Sequence, residues 1–153
     1  MQNNQLPMDE IYPLLLEVLG SGGEFRLSPR GTSMLPLLRE GRDSVLLVAP
    51  EKPQKGDICL YRRGDGQFVL HRILFFENGE PVFCGDNQLA LERGVTRADI
   101  VARVAAVYRG ERCVSVTSLC YRLYSFFHCV MPLRWLSFLP RRIWQKMRKP
   151  KKQ

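Results

Sequence analysis

The 153-residue chain holds two histidines, His71 and His128, and a serine, Ser33, that stands between Thr32 and Met34 with Gly31 before them and Pro36 after. A serine hydroxyl becomes a useful nucleophile when a neighbouring base takes its proton, and that base is usually held in turn by a third group. These residue types therefore permit acyl transfer on Ser33 with a histidine as base. His128 falls in "FFHC", inside an aromatic and basic stretch, and reads as packing or interfacial. His71 falls in "FVLHRIL", where strict alternation puts its side chain on one face with Val69 and Ile73, opposite Leu70 and Arg72. Each residue alone has a plainer reading. A histidine on such a face is ordinarily a satisfied core or surface group, and a serine before a turn can cap a helix by accepting from the amides that follow. "GTSML" also departs from the G-x-S-x-G elbow of α/β hydrolases, because Leu35 takes the second glycine position.

Other chemistries find less support. Cys59, Cys84, Cys113, Cys120 and Cys129 form no C-x-x-C pair, and an odd count suits a reducing compartment better than a complete disulfide framework. Neither they nor the histidines have metal-ligand spacing, so no metal and no cofactor is expected.

The elements that must position Ser33 and His71 follow from the pattern of the chain. "MDEIYPLLLEVLGSGG" reads as a short helix capped by Asp9, with Ile11, Leu14, Leu15, Val18 and Leu19 on one face and Gly20 to Gly23 ending it. Pro13 is tolerable there in or beside the first turn. From about residue 25 the runs "EFRLS", "DSVLLVA", "DICLYRR", "QFVLHRILFFE", "EPVFCG", "ADIVARVAAVYR" and "RCVSVT" alternate with the turns "KGD", "GDG" and "ENGE", which is the grammar of antiparallel strands and hairpins. Beyond residue 118 the sequence is aromatic and basic, with breaks at Pro132 and Pro140, and reads as two short amphipathic helices with a frayed end. The expected organisation is a helix in 1–24, a mainly β domain in 25–117 and a helical tail in 118–153.

The order of the blocks "GTSMLPLL", "KGDICLYRR", "FVLHRIL", "FCGDNQLALERG" and "DIVARVAAVYRG" resembles the type I signal peptidases, within the larger group of serine peptidases that also holds the LexA-type repressors. The resemblance covers residues 25–110. It matches the family's Ser-Met-x-Pro block with Ser33, Met34, Leu35 and Pro36, its Gly-Asp with Gly56 and Asp57, and its Gly-Asp-Asn with Gly85, Asp86 and Asn87. The family's base is lysine in bacterial members and histidine in archaeal and endoplasmic-reticulum members, so His71 followed by Arg72 resembles the Ser-His branch. A second acid six positions after the Gly-Asp-Asn aspartate orients that histidine in the family. Here the position is Glu92 where the family has aspartate, which leaves Asp86 and Glu92 both as candidates.

The resemblance implies a signal peptidase/LexA-like β fold and a serine endopeptidase that cleaves a leader or precursor peptide. Ser33 would attack, His71 would act as general base, and the Ser33 amide with the Thr32 hydroxyl would receive the oxyanion, Gly31 and Met34 lining the approach. The family binds an extended peptide and prefers small residues such as A-x-A before the cut. The alternative is a LexA-like self-cleaving regulator or a non-catalytic peptide-binding module of the same fold. Against it, residues 1–24 are too short for a helix-turn-helix module and His71 replaces lysine.

The formal charge of +8 is uneven: residues 112–153 contain ten of the 23 Lys and Arg and none of the 15 Asp and Glu. Residues 119–152, with Trp135 and Trp144, have the composition of a helix lying on an anionic membrane surface, or of a helical pair packed on the β domain. No nucleic-acid-binding module accompanies the charge, and nucleic acid is not the expected partner. The start of the chain lacks a secretory signal and no uninterrupted apolar run is long enough to span a bilayer, so the expected location is cytoplasmic, with the tail offering peripheral attachment to the membrane.

Overall fold

The computed structural model describes residues 7–130. All seven expected strands form: β1 (Phe25–Leu27), β2 (Asp43–Val48), β3 (Ile58–Arg62), β4 (Phe68–Glu77), β5 (Glu80–Cys84), β6 (Ile100–Arg109) and β7 (Arg112–Ser115). They make one antiparallel sheet in the order β1-β2-β6-β3-β4-β5, with β7 paired to β6. The fold is thus mainly β, with helices α1 (Met8–Gly20) and α2 (Leu119–Cys129) packed on it.

The turns act as the sequence suggests. Asn78 and Gly79, both with positive φ, join β4 to β5 as a two-residue loop between the paired Glu77 and Glu80. Gly64, Asp65 and Gly66 join β3 to β4, closed by the Arg63 amide donating to the Gln67 carbonyl at 2.8 Å. That loop fixes the register that matters most, with Cys59 opposite His71 and Tyr61 opposite Val69. Register shifts at Leu46/Leu47, Leu60/Tyr61 and Ile73/Phe75 bend the sheet locally.

Two apolar clusters occupy its faces. The larger takes Leu15 and Leu19 from α1, Met34 and Leu38 from the loop after β1, sheet residues such as Val45, Leu47, Leu60, Leu70 and Val104, and Tyr121 from α2. The smaller takes Cys59, Tyr61, Ile73, Phe83, Val95 and Ile100, with Val69 against it. Val69 and Ile73 therefore do share a face, and Leu70 faces the other way.

Two details of α1 differ from expectation. The helix begins a residue before Asp9, with Pro7 as its cap, so Asp9 stands in the first turn. There its carboxylate meets the positive end of the helix dipole instead of capping. Pro13 lies inside the helix, past the first turn, and withholds the amide that the Asp9 carbonyl would otherwise accept from. In the tail, α2 is the first expected helix, and its N-cap Ser118 accepts from the Tyr121 amide. The second expected helix lies outside the described residues.

Candidate active site

Ser33 sits half-buried in a turn-rich loop, residues 31–38, between β1 and β2, and no helix follows that it might cap. The loop is anchored from beneath. Met34 and Leu38 are buried in the larger cluster, and the Leu38 amide donates to the Met34 carbonyl at 2.9 Å. Met34 is thus a core residue only 4% exposed, which corrects its expected place in the lining of the approach: its side chain points down to hold the loop. Gly31 adopts φ +89°, open to glycine without strain, and its amide donates to Glu40 Oε2 at 2.8 Å.

The Gly-Asp-Asn block fastens the Ser33 loop from the other side. The Asn87 amide donates to the Ser33 carbonyl at 2.7 Å, and Asn87 Nδ2 donates to the Thr32 carbonyl at 3.0 Å. Gly85 fills the space between this loop and His71. A Cβ built there would stand 2.6 Å from the Ser33 carbonyl oxygen, 2.9 Å from Gln88 Oε1 and 3.1 Å from His71 Nε2. No side chain fits in that gap, so the glycine brings the serine loop and the imidazole to the same place.

His71, buried in the middle of β4, turns its other nitrogen to a pair of groups on the far side. Tyr61 Oη lies 3.1 Å from His71 Nδ1 and donates to Glu92 Oε2 at 2.6 Å, while Glu92 Oε2 itself is 3.4 Å from Nδ1. A phenol has one proton. With that proton given to Glu92, the Tyr61 oxygen accepts from Nδ1–H, which leaves the Nε2 lone pair facing the serine loop. Glu92 is delivered there by a two-bond bridge to β5, the Phe83 amide to the Glu92 carbonyl at 2.9 Å and the Glu92 amide to the Phe83 carbonyl at 2.8 Å. Arg63 clamps the carboxylate with two donors, one of them Nη2 to Oε2 at 2.8 Å.

The electrostatics agree with that arrangement. Burial pulls the His71 pKa below its ordinary 6.5, against the opposing influence of Glu92, so the imidazole is neutral and able to accept a proton at pH 7. Burial works to raise the Glu92 carboxyl, but hydrogen bonds from Arg63 and Tyr61 outweigh it and keep the group ionised. Burial and the Glu92 hydrogen bond both push the Tyr61 phenol up, so it remains a donor.

Asp86 is occupied elsewhere. Arg72, next to His71 but on the opposite face of β4, donates Nε to Asp86 Oδ1 at 2.8 Å and Nη2 to Oδ2 at 2.7 Å, with both side chains wholly buried. Arg72 Nη1 also donates to the Gly56 carbonyl at 2.8 Å and to Ser125 Oγ at 2.9 Å, and Tyr124 Oη donates to Asp86 Oδ2 at 3.1 Å. Burial opposes the charge on Asp86, but Arg72 overcomes it and holds the carboxyl below its ordinary range. The Gly-Asp landmark belongs to the same network: Gly56 has φ +94°, and a Cβ there would meet Ser125 Oγ at 2.8 Å. Of the two candidate carboxylates, Glu92 is the one brought to His71, while Asp86 neutralises Arg72. His128 is buried on α2, stacked on Tyr124.

Tyr61 is the site residue that sequence reasoning missed. Its signal lay in the "GDG" loop: a three-residue connection pairs Arg63 with Gln67 and so sets Tyr61 one diagonal from His71 on the same face.

A groove of about 600 Å³ runs beside β1, lined by Leu27, Pro29 and Arg30 on the path to Ser33, by Leu60, Phe68 and Leu70 from β3 and β4, and by Met8 and Ile11 of α1. Among the described residues β1 pairs only with β2, which leaves its other edge without a strand. Among the described residues no His, Cys, Asp and Glu cluster could hold a metal ion, and none of the five cysteines forms a disulfide. No protein-family model matches the chain, and no curated protein matches it either.

Proposed function

We propose that the chain is a serine endopeptidase of signal-peptidase type, of the Ser-His branch, with a signal peptidase/LexA-like fold, acting on a leader or precursor peptide. The observation that carries this reading is the meeting at Gly85, where the Ser33 carbonyl and His71 Nε2 crowd one glycine while Tyr61 and Glu92 hold the far nitrogen of the imidazole. A buried neutral histidine with its base lone pair directed at a serine loop is the arrangement that activates a hydroxyl.

In the proposed reaction, a peptide extends along the edge of β1 opposite β2 and lays apolar side chains in the groove. Ser33 Oγ attacks the scissile carbonyl as His71 Nε2 takes its proton. Glu92, reached through Tyr61, stabilises the imidazolium that forms. The Ser33 amide and the Thr32 hydroxyl receive the oxyanion. The imidazolium then protonates the leaving amine, and water attacks the acyl-enzyme with His71 again as base.

Incubation of the full chain with candidate leader peptides, followed by mass spectrometry, should show cleavage that disappears in Ser33→Ala and in His71→Ala. Equal cleavage by both variants and the parent would overturn the assignment. Intact-mass measurement of the chain alone in the same series would detect the self-cleavage expected of a LexA-like regulator.

A further inference from the structure

Helix α2 presents its faces in the reverse of the usual order. Tyr121, Ser125 and His128, at spacings of four and three, are buried, whereas Leu119, Leu123, Phe126 and Phe127 line the opposite side and are 71%, 52%, 60% and 51% exposed. The inner face is polar because it meets Arg72 and Asp86: Ser125 and Tyr121 contact the guanidinium and Tyr124 the carboxylate. Turning the helix to bury its leucines and phenylalanines would strand that buried ion pair. The apolar stripe therefore faces outward by construction, and Val114 of β7, 40% exposed, adds a further apolar residue shortly before the helix.

We propose that this outward face of α2 docks in the plane of an anionic lipid bilayer. The surrounding charge selects that occupant. Residues 112–153 carry ten Lys and Arg without one Asp or Glu, eight of them in the segment that follows α2 directly, together with Trp135 and Trp144. On the described surface, Lys55, Arg103 and Arg122 line the hollow beside Phe126, with Asp57 the one acid among its lining residues. Exposed aromatic and aliphatic side chains flanked by cations match the boundary between acyl chains and acidic headgroups, where the apolar stripe leaves water and the cations meet lipid phosphate. A nucleic acid would satisfy the cations but leave the leucines and phenylalanines in water. No helix among the described residues is long and apolar enough to cross a membrane, so α2, with 11 residues, would lie along the surface. This inference is independent of the proposed peptidase reaction.

The test is co-sedimentation of the full chain with vesicles of phosphatidylcholine alone and of phosphatidylcholine with phosphatidylserine. The comparison is a Phe126→Ser/Phe127→Ser double variant, whose positions contribute nothing to the buried face. The parent should bind the anionic vesicles and not the neutral ones. The variant should bind about tenfold more weakly or worse, with an unchanged thermal unfolding midpoint. Four results would each overturn the proposal: no binding of the parent to anionic vesicles; equal binding by the variant, which assigns attachment to charge alone; a lowered unfolding midpoint in the variant, which shows the stripe to be covered by the chain's own remaining residues; or a concentration-dependent dimer that the variant abolishes, which makes the face an interface between copies.

Discussion

Replacing Asp86 by Asn tests the division of labour between the two carboxylates most directly. The substitution keeps the side chain's size and removes its charge, leaving Arg72 buried with 0% side-chain exposure and no counter-ion at 2.7–2.8 Å. Breaking a buried pair in this way costs about 3–5 kcal/mol, because the surviving charge stays out of water. Domains of this size are stable by about 5–15 kcal/mol, so the loss is a large share of the total. With a urea dependence of about 2 kcal/mol per molar, the unfolding midpoint should fall by about 2 M. The effect should also depend on pH in a defined sense. Arg72 holds the folded-state pKa of Asp86 below its ordinary 3.8, so the stabilisation is complete above that value and is lost as the pH falls through the folded pKa. The gap between parent and variant should therefore be constant at neutral pH and narrow below pH 3.8. A loss of under about 1 kcal/mol at pH 7, or a gap that widens in acid, would refute the account of Asp86 as the counter-ion of Arg72.

Two further outcomes concern the His71 side of β4. In Gly85→Ala the new methyl meets the Ser33 carbonyl at 2.6 Å and His71 Nε2 at 3.1 Å; kcat/KM for leader-peptide cleavage should fall about a hundredfold as the loop and imidazole are forced apart, and calorimetry should record a stability loss of only about 1–3 kcal/mol. In Glu92→Gln the main influence that raises the His71 pKa is removed, leaving the smaller one of Asp86, while burial and Arg63 still lower it. The acid limb of the pH–kcat/KM profile, below pH 6.5 in the parent, should move to still lower pH, and the plateau should drop about tenfold or more as the imidazolium loses its partner; an unmoved limb would separate Glu92 from His71.

The strands were legible because their signals are local. Alternating Val, Ile, Leu and Phe bounded by "GDG" and "ENGE" specify hairpins without reference to the rest of the chain. The role of Tyr61 depends on the register of β3 against β4, which the same loop encodes but only once pairing is counted across it. The choice between Asp86 and Glu92 depends on the path of residues 85–92, set by the Phe83–Glu92 bridge, and nothing in "GDNQLALE" announces that bridge. Met34 was misplaced because its neighbour Ser33 drew it into the reaction, whereas a methionine after a half-buried serine in a tight loop has the core directly beneath it. For α2 the helical spacing was readable but the buried face was not, because the charge of Arg72 was invisible until the sheet placed it under the helix.

His71 and Arg72 are adjacent in sequence and back to back in space, one facing Tyr61 and Glu92 and the other facing Asp86 and α2. A slip of β4 by one residue could carry Arg72 to the place of His71 and put Ile73 where Arg72 had been. The guanidinium would then enter the pocket built for an imidazole, and Asp86 would be left beneath α2 without its cation. For most strands a wrong register costs misplaced methyl groups. Here it leaves the buried Asp86 without its cation beneath α2, so a charge pair on one face of β4 holds the register that sets His71 beside Tyr61 and Glu92 on the other.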